Sequence, residues 1–226
     1  MNRRGFGWGH GSLLWLAFWP LDAGAERADK YACLAEDSSP ACEQLVAERS
    51  RFPEGAFDDT ALSSFVLLWY SEHLAAMAEP VLTRIDERPA EAYRFLWLRT
   101  FHHPVVLRLQ DVGGEKTLVV KQTNGAGGYR PGELVVDRTI RVGAEEWNTF
   151  QSLLDAAGYW RAAETDRDEM GGDGAQWVLE AVRDGRYHIV ERWSPDERYS
   201  SEENLNFRDA CLYLLKLSGL AIEPLY

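Results

Sequence analysis

Apolar residues recur at two different spacings along this chain, and the change of spacing separates helical from strand-forming segments. A first helix is predicted over residues 40–51. A second is predicted over 58–78, where Phe65 and Trp69 lie on one apolar stripe. From about residue 92 onward, apolar positions alternate with polar ones, which is the pattern of half-buried strands. The N-terminal part of the chain is therefore predicted to be helical and the rest to contain a sheet.

Two pairs of strands are joined by two-residue turn signals. The first pair, over 105–112 and 115–122, is joined by two glycines, and the second pair, over 176–183 and 186–193, is joined by Asp184–Gly185. Asp-Gly favours a type I′ turn because both central residues of that turn need a positive φ angle. A turn of fixed length also fixes the register, so it determines which side chains share a face of each hairpin.

Further elements complete an α+β order of secondary structure. Strands are predicted over 93–101 and 134–142, and helices over 144–157 and 202–218. Hairpin-joined strands indicate an antiparallel sheet, and we expect helices to pack on one face of it. The predicted organisation is a signal peptide, an N-terminal helical segment and an α+β domain, over residues 1–25, 26–80 and 81–226.

The first 25 residues have the features of a secretory signal peptide. Arg3 and Arg4 precede an apolar run over 13–19, and small residues then allow cleavage after Ala25. The run is too short to remain as an anchor, since a membrane-spanning helix needs about 20 apolar residues. The paired arginines leave two export routes open, the general secretory route and the twin-arginine route. The sequence therefore predicts a periplasmic or secreted protein with no membrane span after cleavage.

The charge balance narrows the range of partners. The chain carries 36 acidic and 24 basic residues, a net charge of −12 at neutral pH. Cleavage of the signal peptide would remove two arginines and one aspartate, which changes the net charge to −13. A chain with this much negative charge is repelled by phosphate backbones and by anionic lipid surfaces. Nucleic acid is therefore not an expected partner.

The three cysteines are consistent with an oxidising compartment. Cys33 and Cys42 bracket a short polar loop, and two close thiols in such a compartment most often pair. Cys211 lies in a strongly apolar segment, so we expect it to be buried and free. Three cysteines allow three pairings, and Cys33–Cys42 is the favoured one.

The second hairpin carries the candidate chemistry. Its register places Glu180, Tyr187, Glu191 and Trp193 on one face. Two carboxylates beside aromatic rings are the composition of a glycoside-cleaving site, although ordinary acids on a solvated sheet face explain the pattern more simply. Burying two unpaired carboxylates would cost several kcal/mol, so we expect this face to be at least partly open to solvent.

The opposite face of the second hairpin is expected to face the core. Its apolar members include Trp177, Leu179 and Val190. Trp177 lies across from Arg192, a geometry suited to cation–π stacking. His188 shares this face, and we expect it to be packed rather than catalytic.

The remaining motifs favour structural roles. The glycine-rich stretch 124–132 joins two strands and lacks the Gly-Lys-Ser/Thr ending of a phosphate-binding loop, so we expect a mobile surface loop that could border a binding surface. His102 and His103 are adjacent and would point to opposite faces of a strand, which argues against a shared metal. No cofactor or metal is predicted.

Three segments in the C-terminal part of the chain resemble sequences of a known group. They are Asp-Gly-Ala-Gln-Trp over 173–177, Tyr-His-Ile-Val-Glu-Arg-Trp-Ser-Pro over 187–195 and Cys-Leu-Tyr-Leu-Leu over 211–215. The resemblance is to an uncharacterised family of bacterial exported proteins, and it covers roughly the last 130 residues. It implies a bacterial envelope location and brings no activity, cofactor or catalytic residue.

Two functions follow as hypotheses. The first is a non-enzymatic periplasmic or secreted binding module, with Tyr187 and Trp193 as ligand-binding residues and an envelope protein or glycan as partner. It rests on the absence of a catalytic motif and on the six tryptophans that remain after signal cleavage, which are Trp69, Trp97, Trp147, Trp160, Trp177 and Trp193. The alternative is a glycan-cleaving envelope hydrolase that uses Glu180 and Glu191.

Overall fold

The architecture was analysed in a computed structural model of the chain. It describes residue 33 and residues 39–57, 64–85, 89–165, 173–196, 198, 200–221 and 224–225. The predicted signal peptide and the start of the second predicted helix lie outside these residues. Within the described part, the α+β fold class predicted from the sequence is confirmed.

Serine side chains cap the start of two of the described helices, and a glycine ends one of them. Their bounds are Pro40–Arg49 (α1), Ser64–Ala76 (α2), Ala144–Ala156 (α3) and Glu202–Ser218 (α4). Ser39 accepts a hydrogen bond from the backbone N–H of Cys42 and so caps α1, and Ser201 caps α4 in the same way. Gly219 ends α4 with a φ of 64°, a left-handed conformation that glycine adopts without strain.

Six strands form one antiparallel sheet. Their bounds are Glu91–Arg99 (β1), Val105–Val112 (β2), Glu115–Thr123 (β3), Leu134–Arg141 (β4), Ala175–Arg183 (β5) and Arg186–Trp193 (β6). The order across the sheet is β4-β3-β2-β1-β5-β6, so β1 lies in the interior between the two hairpins. Each hairpin therefore has one strand that pairs with β1.

The predicted registers of both hairpins are confirmed. Asp184 and Gly185 have φ angles of 52° and 74°, as a type I′ turn requires, and Val182 pairs with Tyr187 across the turn. In the first hairpin Asp111 pairs with Lys116, and their side chains form an ion pair of 2.5 Å. Local turn chemistry was therefore sufficient to set which residues share a face.

The main core lies on one face of the sheet, under α3 and α4. Phe95 and Trp97 of β1 and Trp177 of β5 stack there, with the rings of Trp97 and Trp177 5.2 Å apart. Leu179 and Val190 lie in the same core, as predicted. Arg192 pairs with Trp177 as the register requires, but the ring beneath its guanidinium is Phe207 of α4.

The opposite face of the sheet is covered as well, by the N-terminal helical segment. Tyr70, Leu74 and Met77 of the α2 region pack against sheet residues that include Leu96 and Val178. The expectation that the Glu180 face of the second hairpin is partly open to solvent is wrong, because Glu180 is 1% exposed and Glu191 is 5% exposed. The periodicity of a hairpin cannot show that a distant segment folds back over it.

A disulfide joins Cys33 to Cys42, as predicted, with the two Cα atoms 5.2 Å apart. Both cysteines pack with Leu68 of α2 in a small separate apolar cluster. Cys211 is free and buried, also as predicted, and burial raises the pKa of its thiol. The disulfide indicates an oxidising, extracytoplasmic environment.

Replacing Leu179 with alanine is expected to destabilise the fold by about 2–5 kcal/mol, because the side chain is fully buried and leaves a cavity that cannot fully close. Urea unfolding followed by tryptophan fluorescence measures the loss. Val135→Ala is the matched control, since Val135 lies on the edge strand β4 and is 53% exposed, so its loss should stay below about 1 kcal/mol. Equal losses for the two variants would contradict the assignment of Leu179 to the core.

Candidate functional site

The structure separates the four side chains that the sequence placed on one face. Glu180 and Tyr187 belong to a buried group of charges, which we call the ion cluster. Glu191 is buried nearby against Tyr70 of α2. Trp193 instead lies at the end of β6 and lines a surface cleft.

The partner that a buried Glu180 requires comes from β1. Arg94 pairs with Glu180 across β1 and β5, and its guanidinium contacts the Oε1 atom of Glu180 at 2.7 Å from Nε and 2.5 Å from Nη2. The hydroxyl of Tyr187 donates to the other carboxylate oxygen at 3.1 Å. Both oxygens of Glu180 therefore have protein partners.

Glu79, just after α2, is the second centre of the ion cluster. Its carboxylate contacts Arg94 at 3.5 Å, Arg108 at 2.9 Å and Lys121 at 2.9 Å. Arg94 and Arg108 are paired neighbours on β1 and β2, and like charges in that position repel unless an anion lies between them. Lys121 also donates to the backbone oxygen of Met77 at 2.8 Å, at the C-terminal end of α2. The ion cluster therefore fastens the end of α2 to the sheet.

The two acids of the ion cluster have pKa values shifted in opposite directions. Burial raises the pKa of Glu180, and Arg94 and Tyr187 oppose that rise. Burial alone would also raise the pKa of Glu79, but its three cations lower that pKa below the ordinary value. The pKa of Arg94 is raised because Glu180 and Glu79 outweigh its burial, so this guanidinium stays charged.

Glu191 is held inside the fold by main-chain and side-chain contacts. The hydroxyl of Tyr70 donates to its Oε1 atom at 3.3 Å, and burial together with Glu191 raises the pKa of Tyr70. The backbone N–H of Glu191 donates to the backbone oxygen of Glu164 at 2.6 Å. Neither Glu180 nor Glu191 is among the described residues that line the cleft. This arrangement stabilises the fold and does not present two carboxylates to a substrate.

The cleft lies at one end of the sheet, where α2 and the glycine-rich loop meet the ends of β1, β5 and β6. Its volume is about 370 Å³, which is within the range of small-ligand sites. The described residues that line it are Trp69, Leu98, Thr100, Gly128, Tyr129, Asp173, Gln176 and Trp193. Three of these are aromatic, and only Asp173 among them is charged.

The glycine-rich loop forms one wall of the cleft because it lies directly on the end of β1. The backbone N–H of Gly128 donates to the oxygen of Thr100 at 3.0 Å, and a Cβ atom on Gly127 would come within 2.6 Å of the backbone of Arg99. Only glycine permits so close an approach. The indole N–H of Trp69 also donates to the oxygen of Gly127 at 3.0 Å, so the loop is anchored to α2 as well as to β1.

The opposite wall depends on another glycine. A Cβ atom on Gly174 would lie 2.6 Å from the indole ring of Trp193, so the ring rests directly on this backbone. Gly174 is held in turn by Thr100, whose backbone N–H donates to its oxygen at 2.9 Å. The next residue after Trp193, Ser194, has a φ of 37°, a conformation that non-glycine residues rarely adopt and that is frequent near functional sites.

Gln176 also lines the cleft but is only 6% exposed. Its side-chain oxygen is fully buried and accepts no hydrogen bond from any described residue. The indole nitrogens of Trp97 and Trp177 in the core lack a partner in the same way, so this oxygen by itself does not mark a ligand position. The cleft therefore offers aromatic surfaces and one carboxylate.

Sequence reasoning identified Trp193 but missed the other members of the cleft. Trp69, Tyr129 and Gln176 come from separate segments, and no local pattern links them. The one available signal was the glycine-rich loop, which the sequence analysis treated as a border of a binding surface. Tyr187 was predicted beside Trp193 as a ligand-binding residue, but the structure places its hydroxyl on Glu180 in the ion cluster.

Other candidate chemistry is not supported by the described residues. His188 packs between Tyr159 and Trp160, and burial lowers its pKa. In the part of the chain that the structure covers, no group of His, Cys, Asp and Glu side chains is arranged to hold a metal ion. Likewise, none of the helices described is both long and apolar enough to cross a membrane.

Comparison with protein-family models, with curated proteins and with solved structures finds no match. The assignment of a function therefore depends on the geometry of this chain.

Glu79→Gln is expected to lower the free energy of unfolding by about 3–5 kcal/mol at neutral pH, because it removes the charge that three cations share. The loss should shrink in acid. A carboxylate whose pKa is lowered in the folded state stabilises above its unfolded pKa, and that contribution disappears as the pH falls through the folded pKa. Urea unfolding of wild type and variant across acid and neutral pH measures both effects.

Glu115→Gln is the control for that experiment. Glu115 forms an exposed ion pair with Arg141 at 3.2 Å, which should contribute less than about 1 kcal/mol at any pH. A difference between wild type and Glu79→Gln that stayed constant down to acid pH would contradict the proposed role of Glu79.

Proposed function

We propose that this protein is an extracytoplasmic binding module that holds its ligand in the cleft between Trp69, Tyr129 and Trp193. The observation that carries the proposal is the convergence of three aromatic side chains, each from a different element, on one cleft. Ligand sites in proteins are concave, mostly apolar and contain a few well-placed polar groups. The cleft is concave and combines three aromatic rings with the polar side chains of Asp173 and Gln176.

The cleft is built to keep its shape. The wall formed by Gly127 and Gly128 lies on the end of β1, and Gly174 beneath Trp193 is hydrogen-bonded to Thr100, just after that strand. The loop wall is further fixed to α2 by the indole of Trp69. A site that is already formed loses less conformational entropy when a ligand binds, which raises its affinity.

The location we propose is the periplasm or the exterior of the cell, after removal of residues 1–25. The disulfide between Cys33 and Cys42 supports an oxidising compartment. The order of charged, apolar and small residues at the N-terminus supports export. An envelope glycan or an envelope protein is the partner that this location suggests.

Glycan hydrolysis by Glu180 and Glu191 is the weaker proposal. The feature in its favour is that burial raises the pKa of Glu180, as a general acid would need. Against it, both oxygens of Glu180 are engaged by Arg94 and Tyr187. A substrate could reach this carboxylate only if the N-terminal segment left the sheet.

The exported protein is expected to begin near Glu26, because cleavage after Ala25 matches the small residues at the end of the predicted signal peptide. N-terminal sequencing of the protein recovered from the periplasm or the medium tests this. An intact Met1 on protein in the cytoplasmic fraction would overturn the proposed location.

A ligand in the cleft is expected to change the surroundings of Trp69 and Trp193 and to leave Trp97 and Trp177 unchanged, since the latter two lie in the core on the other face of the sheet. Fluorine NMR of protein labelled with 5-fluorotryptophan follows all of these side chains together, and single Trp→Phe variants assign their signals. The probes are neutral oligosaccharides, soluble peptidoglycan fragments, short peptides and choline.

At least one class of probe should shift the Trp69 and Trp193 signals, and Tyr129→Ala should weaken that binding by about fivefold, the effect of one aromatic contact. If no probe moves either signal, or if probes move only Trp147 or Trp160, the cleft is not the binding site.

A further inference from the structure

From the chemistry of the cleft we infer that its ligand carries a positively charged alkylammonium group, such as a quaternary amine of the choline type. This inference rests on the proposed function, because it specifies what the cleft binds. It depends on three observations: the aromatic lining, the sign of the charge in and around the cleft, and the shape of its mouth.

The aromatic lining is suited to a cation. Trp69, Tyr129 and Trp193 come from three different elements and converge on one small space. The face of an aromatic ring carries negative electrostatic potential, and several rings together bind alkylammonium groups more strongly than neutral groups of the same shape. The attraction is strongest for tryptophan, which supplies two of the three rings.

The charged side chains in and around the cleft also favour a cationic ligand. Asp173 is the one charged side chain among the described residues that line the cleft. Two arginines of β1 are turned away from the cleft or neutralised. Arg99 points to the opposite face of β1, where it lies over Trp97 at 4.4 Å and donates to the backbone oxygen of Pro224 at 3.2 Å. Arg94 is bound in the ion cluster.

The net charge of the whole chain, −12, also attracts cations from beyond the cleft. An acidic protein raises the local concentration of small cations and repels anions. An anionic ligand would meet Asp173 inside the cleft without a compensating cation among the described lining residues. The acidic composition that argued against nucleic acid therefore also favours a cationic ligand.

The mouth of the cleft accommodates the remainder of such a ligand. Tyr129 is 60% exposed and Phe101 beside it is 57% exposed, with their ring centroids 6.2 Å apart. This pair leaves an apolar surface at the entrance. A volume of about 370 Å³ is sufficient for a trimethylammonium group with a short substituent.

The experiment compares choline with 3,3-dimethylbutan-1-ol, its neutral isostere, by titration of the full-length mature protein. Fluorine NMR of labelled Trp193 reports binding in the cleft. Choline is expected to bind about tenfold more tightly than the isostere, since the two differ in charge and hardly in shape. Asp173→Asn should weaken choline binding by about fivefold and leave binding of the isostere unchanged.

Asp155→Asn is the matched control for Asp173→Asn. Asp155 is an exposed aspartate near the end of α3, on the other face of the sheet, so the substitution makes the same change in net charge away from the cleft. Choline affinity should be the same in this variant and in wild type. Equal weakening by both substitutions would show that net charge, and not a contact with Asp173, attracts the cation.

Cosedimentation with vesicles distinguishes two sources of the ammonium group, a lipid headgroup and a soluble amine. Cosedimentation with phosphatidylcholine vesicles that free choline competes away would identify a lipid headgroup, and binding of free choline without cosedimentation would identify a soluble amine. Both outcomes support the inference.

Equal affinity for choline and its isostere, or binding of neutral oligosaccharides without choline, would overturn the inference and leave the binding function standing. If no probe of any class reaches Trp193, the proposed function itself fails.

Discussion

The contact between Arg94 and Glu180 is the interaction on which the rest of this structure depends. Both side chains are buried between the sheet and the N-terminal segment, where an unpaired charge would cost several kcal/mol. The same guanidinium donates to the backbone oxygens of Pro80 and Arg51, which belong to that segment. The N-terminal segment is thus joined to the sheet through a charge that neither part could bury alone.

Both faces of the sheet are covered by other parts of the chain. Helices α3 and α4 occupy one face, and α2 with residues 52–57 occupies the other. The concave surface lined by Trp193 therefore forms at the ends of the strands, where loops meet. Loops held by a rigid scaffold are the usual place for binding residues. The glycines of these loops allow the backbone segments to approach each other closely enough to shape the cleft.

The disulfide contributes to the same arrangement from outside the sheet. It closes a short loop at the start of α1 and packs on Leu68 of α2, so it restrains the segment that covers the ion cluster. A bridge over so short a loop stabilises by about 2–3 kcal/mol, mainly by restricting the unfolded chain. The disulfide and the ion cluster therefore both hold the N-terminal helical segment in place.

The sequence by itself determined the features that arise from contacts close along the chain. The Asp184–Gly185 turn determined the register of β5 and β6, because a two-residue type I′ turn allows one pairing. The Cys33–Cys42 pairing and the α+β class also followed from local patterns.

Only the tertiary structure decided what covers the Glu180 face and what surrounds Trp193. Arg94 and Glu180 are 86 positions apart, and Trp69 and Gly127 are 58 apart. Hydrophobic periodicity indicates that a face is polar or apolar, but it contains no information on which distant segment will lie against it. A buried carboxylate and a solvated one look the same in sequence until the partner that neutralises the charge is placed beside it, and that placement is made by the fold.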